Sequence, residues 1–323
     1  MAEHRLVETM AEDGYDELGL YHENAQEWGL PDDPPPVVSR GVVEVGAGEW
    51  MSYLRWGTAE PEIGFLHGAG QNAHTWDTVA LALGRPAIAF DLPGHGHSYR
   101  RGDRDYGPWR NATAVAHALE RLAPQLSAVV GMSLGGATAI RLAATRGELC
   151  RRVVMIDVTP QINDPTREMT TFERGSVALI GGPPTYASLE EMAEAAIAMS
   201  PYRAASGVRR GVRHNAYRRA DGLWTWRYDL FGPRPEPAAG GTDGDGQWVD
   251  FTALWDDVAG ITIPAMLVRG GLSRYVRDED VEGMRERIPG LRVEVVEGAG
   301  HAVQSDQPLE LADLLRSFVP PDR

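Results

Sequence analysis

Ser133 stands in Gly131-Met-Ser-Leu-Gly135, behind a short apolar run, Ala128–Met132, and ahead of a helical pattern. That context predicts a strand, a turn too tight for side chains at 131 and 135, and a helix. Such a nucleophile elbow lifts the serine hydroxyl clear of the backbone. Chance supplies a GxSxG in about one such chain in six, so the context carries the reading rather than the pattern. The plainer alternative is a buried serine in a strand–helix turn. The helix start behind Ser133 would also offer unpaired N–H groups to an anion.

A serine hydroxyl is a poor nucleophile without a base. Of the nine histidines, His301 in Glu297-Gly-Ala-Gly-His301 follows the last apolar run, where a loop can return it to the elbow. His95 and His97 lie in Asp91-Leu-Pro-Gly-His-Gly-His97. Their H-x-H spacing suits a metal, but no further Cys, His or Asp completes a site, so no metal is expected. A third group must orient the base. Asp157, closing the run Val153–Asp157, gives the chain order Ser133, Asp157, His301 expected of this architecture. Asp278, with Asp280 beside it, is the alternative acid; a turn carboxylate ahead of Thr159-Pro160 is the plainer reading of Asp157. For an oxyanion, the N–H of Leu134 and the N–H of Ala69, in His67-Gly-Ala-Gly70, are the expected donors.

The elements that must position these residues read as short strands and helices in alternation. Val42–Val45 and Met51–Trp56 suggest an antiparallel pair. Ile63–His67, Ala87–Asp91, Ala128–Met132 and Val153–Asp157 are compact apolar strands, with helices over 73–83, 111–122 and 134–146 between them. Beyond Pro160 the reading turns helical: Met169–Leu179, Leu189–Met199 and Val208–Tyr217, followed by a polar, glycine-rich loop over 231–246. Alternation resumes with Ala265–Arg269, helix 278–288, Val293–Val296 and helix 308–318. This is one parallel α/β core, 37–158 and 253–323, with a helical lid, 159–252, inserted after the sixth strand. Residues 1–36 form an appended acidic segment, with a helix over Leu6–Trp28 stopped by the prolines at 31 and 34–36.

Composition narrows the function. The 323 residues carry a net charge of −15, which disfavours nucleic acid as a partner. No lysine occurs, which excludes Schiff-base and pyridoxal chemistry and a phosphate loop with its lysine. The single cysteine, Cys150, cannot form an internal disulfide. No run approaches the ~18 apolar residues of a membrane span. The N-terminus lacks the apolar stretch of a signal peptide, so a cytoplasmic monomer or homodimer is expected.

Taken together, His67-Gly-Ala-Gly70, Asp91–Ser98, Gly131–Gly136 and Gly298-Ala-Gly-His301 resemble the α/β-hydrolase superfamily, in order and spacing, from about residue 37 onward. His67–Asp77, Val158-Thr-Pro160, Arg209–Val212 with His214-Asn215, and Ser305-Asp-Gln-Pro308 further resemble lidded mycobacterial serine esterases of that fold. The resemblance implies a mostly parallel eight-stranded sheet and cofactor-independent hydrolysis of small to medium carboxylic esters. Thioester, lactone or C–C bond cleavage with the same triad, or a ligand receptor with little turnover, are the competing readings. One departure stands out. Many superfamily members carry the acid in the loop after Leu267–Gly270, where this chain has Gly271-Leu-Ser-Arg274. The expected substrate pocket comprises Gly68, Gly70, Met132, Trp224, Trp226 and His214. Met169, Phe172, Tyr186, Met192, Met199 and Tyr202 of the lid would lend it an apolar lining.

Overall fold

A computed structural model of the chain describes residues 15–163, 168–174, 182–229 and 250–321. The first fourteen residues of the appended segment, the far part of the helix expected over Met169–Leu179, the Phe172 side chain and the loop expected at 231–246 lie outside them.

Eight strands form one sheet: β1 (Val38–Gly46), β2 (Glu49–Trp56), β3 (Ile63–Leu66), β4 (Ala87–Phe90), β5 (Ala128–Met132), β6 (Val153–Ile156), β9 (Ala265–Gly270) and β10 (Arg292–Val296). Their order is β1-β2-β4-β3-β5-β6-β9-β10; β2 runs antiparallel to both its neighbours and every other pair is parallel. The central strands are short and apolar at every position, as burial on two faces requires. Alternate residues serve opposite faces. Leu66, Phe90, Val129, Met155 and Leu267 pack with helices α3 (Pro108–Leu122), α4 (Leu134–Thr145), α7 (Leu254–Gly260) and α8 (Asp278–Arg287). Phe65, Ala89, Val130, Ile156 and Val268 pack with α2 (Asp77–Leu83), α9 (Pro308–Phe318) and Tyr21 of α1 (Tyr21–Trp28).

The chain leaves β3 for β4 on one side, then crosses to β5 on the other. That reversal opens a crevice beyond the carboxyl ends of β3 and β5, where open α/β sheets bind ligands. Among the described residues no helix is long and apolar enough to cross a membrane.

Between β6 and β9 lie a single helical turn at Thr171–Arg174, within the helix expected there, α5 (Leu189–Ala198), α6 (Ala205–Asn215) and an antiparallel hairpin of β7 (Ala216–Arg218) and β8 (Trp224–Trp226), followed by α7. The hairpin was not expected; it turns at Asp221-Gly222, with Gly222 at φ +84°. This insertion has an apolar cluster of its own, built on Tyr186, Met192, Val208, Val212, Trp226 and Tyr228. It is stitched to the sheet's crevice by the backbone: Gly96 N–H donates to Arg227 O (2.8 Å) and Asp229 N–H to Gly94 O (2.7 Å).

Among the described residues of the N-terminal segment the helix runs over Tyr21–Trp28. Residues 15–20 form turns because Asp16 captures the Leu18 N–H with its carboxylate (3.2 Å), competing with helical bonding.

Candidate active site

Ser133 holds φ +51°, ψ −117°, in a region that side chains other than glycine's rarely occupy. Such strain costs about 1–3 kcal/mol and persists only where the surroundings impose it. They do so here. A Cβ on Gly131 would overlap the Gly135 carbonyl, and one on Gly135 would overlap the Leu66 carbonyl. The turn is tied to the neighbouring strand by Ser133 N–H donating to Ile156 O (3.0 Å), and α4 starts at the next residue. The expected elbow is therefore present in its backbone geometry.

Met132 and Ile156 are register partners on β5 and β6, so Ser133 and Asp157 leave adjacent strands side by side. Asp157 also sits at φ +51° and is fully buried. Its Oδ2 accepts from His301 Nδ1 at 2.7 Å and from Ser273 Oγ at 2.5 Å; its Oδ1 accepts from Gly270 N–H at 3.2 Å. With Nδ1–H committed to the carboxylate, the other ring nitrogen, Nε2, is left with its lone pair, buried and without a hydrogen-bond partner among the described residues. The Tyr275 ring stacks on the imidazole at 3.8 Å, and its hydroxyl donates to Arg174 O (3.1 Å). Asp278, the alternative acid, has a side chain 91% exposed and pairs with Arg269 at 2.7 Å. It is not brought to the histidine. Arg274 turns outward to an ion pair with Glu173.

The loop after β3 faces the elbow. A Cβ placed on Gly68 would lie 2.5 Å from Met132 Sδ and 3.4 Å from Ser133 Cβ, so a side chain there would have to displace the methionine and press on the elbow. Gly68 N–H donates to Gln71 Oε1 (3.0 Å) and Gly70 N–H to His95 Nε2 (3.1 Å). Between them, the Ala69 N–H has no hydrogen-bond acceptor among the described residues. His67 and His95 act as neutral scaffolds: His67 donates from Nδ1 to Gly68 O (2.7 Å) and accepts the Leu92 N–H on Nε2 (2.9 Å). Burial, reinforced by the neighbouring His67, presses the His95 pKa down to about 3, which keeps its acceptor lone pair available. His95 and His97 therefore turn to different partners, and their sequence spacing builds no common site; His97 Nε2 faces Glu17 at 3.9 Å.

Of the residues expected to line a pocket, Gly68 and Met132 gather at the elbow, and Gly70, two residues on, is held by His95 and Asn215. Trp226 is buried in the insertion's own cluster, stacked on Tyr228, and Trp224 pairs its backbone with Tyr186. Met192 and Tyr186 are buried in the same cluster, Met169 joins the sheet's core, and Tyr202 is 48% exposed.

His214 lies elsewhere, stacked on His74 (3.8 Å, 11°) and hydrogen-bonded through Nδ1 to Tyr15. Beside it, His74 gives Nδ1–H to Asp77 (2.8 Å) and Nε2–H to Glu17 (2.9 Å). Burial opposes its charge, yet the two carboxylates prevail and raise its pKa to about 9. His74, Asp77 and His214 bring metal-capable atoms within 4.8 Å of one another. With both ring nitrogens of His74 donating to carboxylates, however, that imidazole has no lone pair to offer an ion as it stands.

Ser273, Tyr275, Gln71 and Asn215, whose side-chain amide donates to Gly70 O at 2.6 Å, had not been singled out as site residues. Ser273 carried one signal: it sits in the loop where relatives of this fold keep the acid.

The Alpha/beta hydrolase family model matches residues 65–314. Esterase Rv0045c of Mycobacterium tuberculosis is 46% identical over 310 residues, 95% of this chain and 96% of that protein. A solved structure of the same esterase superposes with a TM-score of 0.80 at 44% identity, covering 95% of this chain and all of that one. Mouse sn-1-specific diacylglycerol lipase ABHD11 is 27% identical over 268 residues, 80% of this chain and 81% of that protein. A family match over most of the chain, on a sheet and elbow of this geometry, establishes that the protein belongs to the α/β hydrolase family.

Proposed function

We propose that the chain is a serine esterase, cleaving small to medium carboxylic esters through an acyl-enzyme on Ser133. The observation that carries this reading is the buried Asp157–His301 hydrogen bond of 2.7 Å, at the sheet edge where the strained Ser133 also sits. His301 Nε2 takes the serine proton as Oγ bonds the acyl carbon, and Asp157 holds the imidazole in the Nδ1–H tautomer and stabilises its charged form. The Ala69 and Leu134 amides receive the developing oxyanion. Collapse of the tetrahedral intermediate breaks the bond to the alcohol oxygen, which leaves with the proton from His301. Water, deprotonated by the same nitrogen, then releases the acid and restores Ser133. We assign residues 159–252 as a lid over this site. The likeness to Rv0045c favours an ester over a thioester, lactone or C–C bond.

The test is intact-mass labelling with a fluorophosphonate, beside Ser133→Ala and a panel of p-nitrophenyl esters of rising acyl length. One adduct on the parent, none on the variant and turnover of the shorter esters are expected. Folded parent that takes no adduct and cleaves no ester would overturn the assignment.

A further inference from the structure

We propose that Asn215 is a positioning residue for the Ala69 amide, and that the N-terminal segment works by holding Asn215 against the loop that carries it. The inference rests on the esterase reading above, which makes that amide an oxyanion donor.

The loop from His67 to Asn72 is fixed on both sides of Ala69. On one side Gly68 N–H is held by Gln71 Oε1 (3.0 Å) and Gly68 O by His67 Nδ1–H (2.7 Å). On the other, Gly70 N–H is held by His95 Nε2 (3.1 Å) and Gly70 O by Asn215 Nδ2 (2.6 Å). Gly70 sits at φ +73°, a glycine hinge whose two flanking peptides rotate easily unless something grips them. The grips differ in origin. Gln71 and His95 belong to the sheet's own loops, whereas Asn215 is the last residue of α6, in the insertion. The Asn215 bond to Gly70, beside that from Asn72 to the His214 carbonyl, therefore makes the oxyanion loop's shape depend on where α6 lies.

Asn215 is held in turn. It is 9% exposed; its carbonyl accepts the Arg227 N–H (2.7 Å), and Asn72 Nδ2 donates to the His214 carbonyl (3.0 Å). One turn earlier on α6, Arg210 is 8% exposed, ion-paired with Glu27 and hydrogen-bonded to Asn24 Oδ1 (3.1 Å), both on α1. Tyr15 bonds His214, and Ser206 Oγ donates to Glu27 (3.2 Å). The segment that supplies Tyr15, Asn24 and Glu27 is anchored in the core by Glu17, 4% exposed, which accepts from Arg40 Nε (2.6 Å) and His74 Nε2 (2.9 Å). Arg40 continues to Asp91 (2.9 Å), whose other oxygen accepts the Ala73 N–H (2.8 Å) at the end of the same loop. The appended segment thus reaches the site by two routes: through α6 to Gly70, and through Arg40 and Asp91 to Ala73. The first is the adjustable one, because it runs through a helix packed outside the main core.

An oxyanion donor acts only if it is aimed at the position the charged oxygen will take. A loop released at Gly70 still binds ester but stabilises the transition state less, so the loss falls on kcat. Asn215→Asp is isosteric and keeps the oxygen, yet replaces the donor to Gly70 O by a carboxylate. It should lower kcat ~10–100-fold with KM within about threefold, and weaken a trifluoromethyl ketone, which forms a tetrahedral oxyanion, by the same factor. Arg210→Met, which removes the buried ion-paired tie to the N-terminal segment, should lower kcat ~3–10-fold in the parent and add nothing in an Asn215→Ala background. Amide exchange of residues 68–72, followed by mass spectrometry, should rise in Asn215→Asp and Arg210→Met whether or not the protein turns over ester. A folded Asn215→Asp with parental kcat and parental exchange would overturn the proposal. So would an Arg210→Met loss of equal size in both backgrounds. Parent protein inert to esters and fluorophosphonate, but showing the exchange change, would instead sink the esterase reading and leave the loop coupling standing.

Discussion

On the proposed mechanism, replacing Asp157 by asparagine isolates the orienting carboxylate, and the hydrogen bonds around it dictate how the amide will sit. Asp157 Oδ1 accepts the buried Gly270 N–H at 3.2 Å, while Oδ2 accepts from His301 Nδ1 and the Ser273 hydroxyl. An asparagine must keep its oxygen toward Gly270, because an NH2 facing that N–H would leave two buried donors opposed. Its NH2 then occupies the Oδ2 position. The Ser273 hydroxyl can rotate and accept from it, but His301 can face an NH2 only by presenting a bare Nδ1. The proton moves to Nε2, the nitrogen that has to take the serine's proton. Loss of the correct tautomer in a triad lowers kcat by ~10⁴, about 5.5 kcal/mol of transition-state stabilisation. Steady-state hydrolysis of a p-nitrophenyl ester, with circular dichroism and thermal melts as fold controls, reads this directly. The same assay on Asp278→Asn, an exposed pair with Arg269, should stay within about twofold of the parent. If Asp157→Asn, properly folded, retained more than about a tenth of the activity, or if Asp278→Asn lost more than Asp157→Asn, the tautomer argument would be refuted.

Glycine substitutions test the elbow separately from its chemistry. Gly135→Ala drives a Cβ into the Leu66 carbonyl and should destabilise the fold by about 3 kcal/mol or more, whereas Gly211→Ala, mid-helix on α6 with nothing within 4 Å, should be neutral or stabilising by up to about 1 kcal/mol; urea midpoints that failed to separate the two would contradict the packing described. The network under the N-terminal segment sets a pH signature. His74 is raised to about 9 from an ordinary value near 6.5. Its contribution is complete below pH 6.5 and is lost as pH rises through 9, on the order of 3 kcal/mol for the parent. Glu17→Gln removes one of the two carboxylates that hold His74, and should flatten the fall in urea midpoint between pH 7 and 10; an unchanged slope would rule out His74 as its source.

The parts of the site that backbone sterics impose were legible from residue types alone. Gly131, Ser133 and Gly135 need one another because their turn leaves no room for a Cβ, and that requirement is local in sequence. Asp157 was legible because strand order places its strand end beside that of Ser133. Ser273 and Tyr275 were not, since their roles arise from contacts with Asp157, 116 residues away, and with His301 across a different loop. Glu17 was hidden more deeply. An acidic residue in an acidic amphipathic stretch reads as solvated, and only the convergence of Arg40 and His74, from β1 and from the turn before α2, makes its burial affordable. The β7–β8 hairpin had a signal in Asp221-Gly222, but a helical reading of the residues before it obscured the turn.

On the proposed mechanism, the carboxylate that serves the histidine arrives from the end of β6, and Gly271-Leu-Ser-Arg274 after β9 carries none. In the arrangement common to the fold, the loop after β9 supplies a carboxylate to the histidine. In this protein the same loop supplies donors: Gly270 N–H and Ser273 O–H both point at a carboxylate that arrives from β6. Three donors, counting His301 Nδ1–H, share the two oxygens of a fully buried Asp157, so the carboxylate is solvated by the protein rather than by water. The left-handed backbone at Asp157 is what turns its side chain out of the strand's path toward β9 and the histidine. Arg274 offers no obstacle, because its guanidinium leaves the site for Glu173. An acid in the β9 loop, beside Ser273's hydroxyl, would crowd the buried Asp157 with a second negative charge and raise the cost of keeping both ionised.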